Sequence, residues 1–177
     1  AQSGKGRAVR QGMLAAEGEY RFMYDVDLSM PLNEIKLFLP PSQQDYDIAI
    51  ASREAPGAVR IGEPYYRHLV GRIYNGLIRF MALPGLQDTQ CGFKCFRGPV
   101  ADDLFRRQTR TGWSFDVEIL FIARLLGYKV IEIPIHWHHD PHSKISVVRD
   151  SFKMGMDILT IRLNALRGVY TTPDARL

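Results

Sequence analysis

The spacing of apolar residues divides this chain into alternating helical and extended segments. From Arg7 to Glu17, Ala8, Val9, Gly12, Met13, Ala15 and Ala16 give a helix with a small-residue face, ended by Gly18. Tyr20 to Tyr24 reads as a short strand that runs into an Asp25-Val26-Asp27 turn. Pro31 and the spacing of Leu32, Ile35 and Leu39 predict a helix beyond the turn, which Pro40-Pro41 stops. Asp47 to Ser52 is a compact buried-strand pattern, and Arg53 to Pro64, rich in Pro, Gly and Arg, reads as a loop beside a site. Tyr65 to Met81 is the clearest long helix, with Tyr66, Leu69, Val70, Ile73, Leu77, Ile78 and Met81 at helical spacing. That stripe suits packing on the core; with Arg67, Arg72 and Arg79 around it, it also suits docking on a lipid surface.

Leu83-Pro84-Gly85 breaks this helix, and Asp88 to Phe96 carries several polar groups into a short strand. A helix from Val100 to Arg107 follows, then one opened by Thr111 to Ser114, with Phe115, Ile119, Ile122, Ala123 and Leu126 facing the core. Tyr128 to His138 alternates as a strand, and a last helix runs from Asp150 through Arg167. Residues 1–170 therefore predict one α/β domain, and residues 171–177 a polar tail that frays.

Composition narrows the function only a little. With 46% hydrophobic and 24% charged residues the chain is an ordinary folded protein. A formal charge of +4 permits an anionic ligand or membrane surface without requiring either. Nucleic acid is disfavoured because no compact basic patch is interleaved with aromatics. Two cysteines, Cys91 and Cys95, exclude a disulfide scaffold and lack the second pair of a structural zinc site; both read as reduced, on a buried strand. No apolar run reaches the ~18 residues of a spanning helix. Ala1 to Gly6 has no leader-like apolar run and resembles an interior loop more than a natural start.

The chemistry centres on Asp25 and Asp27. Two carboxylates two residues apart, at the end of a strand, can approach one hard divalent cation such as magnesium or manganese, and a diphosphate brings further oxygens. Lys5, between Gly4 and Gly6, faces either an anion or solvent; the segment is too short for a Walker-type phosphate loop. His136, His138, His139 and His142 crowd together without a local cysteine, so hard-cation chemistry at the Asp turn is preferred to zinc there. Asp116 lies in the first turn of its helix, where the helix field favours an anion.

The ordered set GKGRAVRQG, DVDLS, ASR, DTQCGFKCF, WSFDVEIL and EIPIHW followed by Ser143-Lys144 resembles family-2 glycosyltransferases with the GT-A fold, from Gly4 to about Tyr170. Within that group the chain is most similar to polyprenyl-phosphate sugar synthases, the dolichyl-phosphate glucosyltransferases and mannose synthases. The resemblance implies inverting, metal-dependent transfer of a sugar from a nucleotide-diphospho-sugar to a polyprenyl phosphate, by a protein peripheral to the cytoplasmic side of a membrane. It implies that Asp25 approaches the nucleotide-sugar, that Asp27, with Asp25, holds Mg2+ or Mn2+ on the diphosphate, and that Lys5 holds the nucleotide side. Arg53 would position phosphate near the acceptor, Gln90 shape the sugar and acceptor pocket, and Lys144 face the acceptor phosphate. Asp116 and Glu118 match the acidic pair beside the cleft, Asp116 as a catalytic group and Glu118 toward the acceptor.

Two departures matter. Mannose synthases often carry glutamine two positions beyond the second aspartate, and Ser29 stands there, which favours glucose over mannose. The strand and Asn-Glu loop that grip the base in this family would lie before Ala1, so the N-terminal nucleotide-binding strands are expected to be missing and the chain to turn over little alone. The rival function is a non-catalytic module whose basic loops bind anions or anionic lipid. Donor base, lipid length and oligomeric state stay open.

Overall fold

The computed structural model describes residues 4–27, 29–139 and 147–171, without the side chains of Arg67, Tyr74 and residues 147–154. In chain order it comprises α1 (Lys5–Ala15), β1 (Tyr20–Tyr24), a 3-10 helix (Leu32–Phe38), β2 (Ile48–Ser52), β3 (Val59–Ile61) and α2 (Tyr65–Met81). Then follow β4 (Phe93–Arg97), α3 (Gly98–Arg107), α4 (Phe115–Leu125), β5 (Val130–Pro134), β6 (His136–His138) and α5 (Val147–Leu166). The main sheet is mixed, in the order β1-β4-β2-β5, and differs from the all-parallel order of doubly wound nucleotide-binding folds. β4 is antiparallel to both β1 and β2, and β2 is parallel to β5. The C-terminal ends of β1, β2 and β5 and the N-terminal end of β4 therefore share one end of the sheet.

Alternation along the strands builds a core on each face. Met23, Ile48, Ile50 and Phe96 pack with residues of α1, α3, α4 and α5 such as Met13, Leu104, Ile119 and Ile158. Ala49, Ala51, Phe93 and Cys95 pack on the other face with Phe38 and Tyr46. Both cysteines are free and buried.

Several elements differ from the sequence pattern for identifiable reasons. The helix after the Asp turn is 3-10 and seven residues long, which is long for that tighter form. The strand expected from Tyr128 to His138 divides at Ile135. Pro134, paired with Ser52, has no N–H to extend the ladder. Ile135 then accepts from Val59 N at 3.0 Å, and the chain passes to β6, which pairs in parallel with β3. The loop from Arg53 to Pro64 thus contains a strand. Leu126 lies past the end of α4 and is exposed. Helix α2 has the predicted bounds, but among its described side chains only Asn75 and Ile78 are buried. Ile78 and Met81 of the predicted stripe meet the core, but Tyr66 at 65% and Ile73 at 67% face outward, as does Phe80 outside the stripe at 89%.

Candidate functional site

The shared end of the sheet gathers the chemistry. The Tyr24–Phe93 pairing continues by one residue, so Asp25 N donates to Gly92 O at 3.2 Å. A Cβ on Gly92 would stand 1.9 Å from Asp25 Oδ2, so only glycine leaves room for that carboxylate. The Gly4-Lys5-Gly6 segment opens α1 and is not a loop. Added Cβ atoms at Gly4 and Gly6 would meet Thr111 O at 2.4 Å and Phe115 Cβ at 2.7 Å, so both glycines permit close approach to the segment entering α4. That approach sets Lys5 Nζ 2.8 Å from Asp25 Oδ1 and 5.2 Å from the centroid of the Trp113 ring.

Two further cation–carboxylate pairs lie at the same end: Lys94–Asp116 is sealed from water, whereas in Arg53–Asp88 the carboxylate is buried and the guanidinium stays partly exposed. Arg53, just after β2, binds Asp88 through Nε at 2.6 Å and Nη2 at 2.9 Å, and its backbone N donates to the same carboxylate at 3.0 Å. Burial alone would raise the Asp88 carboxyl, but Arg53 holds it down at about 2; Asp88 in turn raises the Arg53 pKa further. Glu132 on β5 fixes the Asp88 segment, accepting from Gln87 N at 2.8 Å and Asp88 N at 2.9 Å. Lys94, the second residue of β4, reaches Asp116 in the first turn of α4 at 2.7 Å and Cys91 O at 2.6 Å. Burial pushes the Asp116 carboxyl up, and Lys94 and Lys5 pull against it. Burial likewise raises the Cys91 thiol to about 11, which keeps it protonated and unreactive.

Asp27 is the exception. It is exposed, receives Ser29 N at 3.0 Å, and has no ion-pair partner among the described residues. Lys5–Asp25, Arg53–Asp88 and Lys94–Asp116 are each internally compensated, whereas exposed Asp27 faces no cation among the described residues. Its oxygen chemistry fits a hard cation beside Asp25. The described residues contain no group of three or more His, Cys, Asp or Glu that could hold a metal by themselves, so further oxygens must come from a ligand or water.

The remaining predicted residues fall in different places. Gln90 N donates to Asp88 Oδ1 at 3.3 Å, so its backbone belongs to the Arg53–Asp88 segment. Glu118 does not join Asp116. Two residues apart on a helix, their side chains leave opposite sides. The fully buried Glu118 carboxylate accepts from Thr109 N at 2.9 Å, Arg110 N at 2.7 Å and Tyr170 OH at 2.7 Å, an arrangement that ties α4 to the segment after α3. His136 Nδ1 pairs with Glu34 at 2.6 Å. Lys144, Ser143 and His142 lie outside the described residues.

Sequence reasoning passed over Asp88, Lys94, Glu132 and Trp137 as individual residues. One signal was available: a lysine inside Phe93-Lys94-Cys95-Phe96 requires a buried carboxylate. Which carboxylate answers it depends on the fold.

Residues 1–105 match the profile of Glycosyl transferase family 2. The chain is 32% identical to human dolichyl-phosphate beta-glucosyltransferase, the match covering 98% of this chain and 56% of that protein. It is 31% identical to the dolichyl-phosphate beta-glucosyltransferase of Saccharomyces cerevisiae, covering 94% and 54%. The chain spans about half the length of these curated relatives. Among solved structures it resembles glucosyl-3-phosphoglycerate synthase from Mycobacterium tuberculosis in complex with UDP, with a TM-score of 0.58 at 17% identity over 98% of this chain and 57% of that one. The complex of that synthase with Mn2+, UDP and glucosyl-3-phosphoglycerate gives a TM-score of 0.59 at 13% identity, covering 98% and 57%. At those identities the likeness is one of fold.

Proposed function

We propose that this chain, which belongs to glycosyl transferase family 2, carries the centre for inverting transfer of glucose from a nucleotide-diphospho-sugar to a polyprenyl phosphate. The observation that carries this reading is the exposed Asp27, facing no cation among the described residues, beside three compensated cation–carboxylate pairs at one end of the sheet. Asp27, with Asp25, would hold Mg2+ or Mn2+, which when bound offsets the charge of the leaving diphosphate. Lys5 serves the donor side and exchanges part of its contact with Asp25 for the diphosphate.

Arg53 presents to the acceptor phosphate those N–H groups that Asp88 does not use. Lys144 serves the same phosphate in this reading. A phosphate monoester has its second pKa at about 6 and is largely ionised near neutral pH, so it attacks without a strong general base. Asp116 acts through the framework, holding the first turn of α4 against β4 by way of Lys94, and Gln90 shapes the sugar pocket. Placement in line supplies most of the remaining rate. Ser29, and the glucosyltransferase names of the relatives, favour glucose.

No described helix is long and apolar enough to cross a membrane. The outward face of α2, a helix with Arg and His but no acidic residue, supports peripheral contact with the membrane that carries the lipid. The test is transfer of labelled sugar to a short polyprenyl phosphate by the protein expressed from its complete reading frame, with UDP-glucose and GDP-mannose as parallel donors. Cation-dependent lipid-linked glucose is expected. Labelled mannose product would reverse the sugar choice. Lipid and nucleotide binding without any product would support the anion-binding module instead.

A further inference from the structure

Asp88 grips Arg53 along one edge only. The bonds to Nε and Nη2 fix the guanidinium within its own plane but leave it free to tilt about the axis joining it to the carboxylate. A flat partner is needed to stop that tilt. Trp137 supplies one, with the Arg53 guanidinium carbon 5.3 Å from the indole centroid. Arg60 stands 5.8 Å from the centroid of the same ring, so two like charges share one aromatic platform.

That crowding is compensated on all sides. Arg60 is bound by Glu54 and by Glu63 at 2.5 Å, and its Nε donates to the backbone oxygen of Arg53 at 3.2 Å. His68 from α2 meets Glu54 at 3.2 Å. With Asp88, three carboxylates thus face the two guanidinium groups.

The platform is tied to the turn that carries Asp27. Trp137 pairs with Arg60 in the β3–β6 ladder. Its neighbour His138 donates through the backbone to Ser29 O at 2.7 Å, and Ser29 N caps Asp27. On the other side, His136 N donates to Glu34 at 3.1 Å. The indole thus has a fixed place between the Arg53 loop and the Asp27 turn.

We propose that Trp137 is a positioning residue that sets the tilt of the Arg53 guanidinium and so aims its unbonded N–H groups at a phosphate. The role rests on the reading of Arg53 as a phosphate-binding residue. Simple packing is the competing role, because Trp137 also leans on the core cluster around Phe38 and Phe93.

Two measurements on the protein expressed from its complete reading frame separate these roles. The first needs no substrate. The Nε–H proton of Arg53, identified by its loss in Arg53→Lys, is attached next to the guanidinium carbon that lies 5.3 Å from the indole centroid, and it is expected to carry a ring-current shift. Trp137→Leu is expected to move that resonance and Trp137→Phe to retain most of the shift. A resonance unmoved by Trp137→Leu overturns the stacking.

The second is a kinetic double-mutant cycle with a short polyprenyl phosphate. Trp137→Leu is expected to raise KM for the lipid by roughly fivefold with kcat changed much less, the size of one partly screened cation–π contact. Trp137→Phe, which keeps the ring and the fold, should recover most of that loss. In an Arg53→Lys background, Trp137→Leu should cost little more, because the fork it aims is gone. Independent, multiplying losses overturn positioning and leave packing. An Arg53→Lys protein with unchanged KM overturns the phosphate reading, and the positioning role with it, while the resonance still reports the stacking itself.

Discussion

Lys94–Asp116 and Lys5–Asp25 are bonded at nearly the same length, 2.7 and 2.8 Å, and do different work. The first pair is sealed, with side-chain exposures of 1% and 6%. The second is open, at 23% and 36%. Charges withdrawn from water cannot exchange partners cheaply, so the sealed pair locks β4 to α4. An exposed pair contributes little to stability and is easily rearranged, so Lys5 and Asp25 can admit a diphosphate and its cation. A contact length says little about role here; burial decides whether a pair is framework or site.

The largest expected effect lies on the sealed side. Lys94→Met leaves Asp116 buried without its cation and should destabilise the fold by about 3–5 kcal/mol in denaturant titration. Adding Asp116→Leu should restore much of that loss. A Lys94→Met protein that unfolds like the parent would break the comparison at once.

Asp88 sharpens it by pH. Its carboxyl is held at about 2 in the fold, below the ordinary ~3.9 of the unfolded chain. Its stabilisation is therefore complete above about pH 4 and is lost as pH falls toward 2. That window is worth roughly 2 kcal/mol, and Asp88→Asn should flatten the acid limb of urea midpoints against pH. Asp116, whose carboxyl is pushed up, has the opposite sign: its contribution is present below its ordinary pKa and is lost as pH rises through the folded value. An acid limb unchanged in Asp88→Asn would show that Arg53 and Asp88 do not act as a buried pair.

The surface of α2 carries the contrast to apolar groups. Phe80 and Ile73 are of core type but exposed, so Phe80→Ser with Ile73→Ser should leave the melting temperature within about 2 °C. The same variant should bind anionic vesicles about tenfold more weakly. Unchanged vesicle binding would remove α2 from the membrane contact.

On the open side the effect on stability is smallest. Lys5→Met should cost under about 1 kcal/mol of folding stability, the usual worth of a partly exposed ion pair. The same substitution should weaken nucleotide-sugar binding several-fold. A large fall in melting temperature would mean that Lys5–Asp25 is framework after all.

Much of the fold was legible in the sequence because it is local. The bounds of β1 and of α2 follow from hydrophobic spacing, and the expected helices and strands appear in their expected order, with β3 added and the last strand divided into β5 and β6. What α2 packs against was not legible, because periodicity identifies a face but not its cover. β3 escaped because three residues, with Val59 and Ile61 exposed and Arg60 half-buried, have no pattern of their own; it is defined by its pairing with β6. The carboxylates at the strand end were visible as a motif. Their division into bound Asp25 and open Asp27 was not, because it depends on Gly92 and on an α1 that begins two residues early at Lys5. The partners Asp88 and Lys94 lay inside a recognised stretch, but their pairings span 35 and 22 residues and are set by sheet order.

The most direct measurement is calorimetric titration of UDP-glucose into the protein expressed from its complete reading frame, with and without Mn2+, for the parent and for Asp27→Asn. Binding strengthened by manganese in the parent, with at least about a tenfold loss of that gain in Asp27→Asn at an unchanged melting temperature, is the predicted result. A manganese gain of the same size in both proteins would show that the open carboxylate is not where the cation and the donor diphosphate meet.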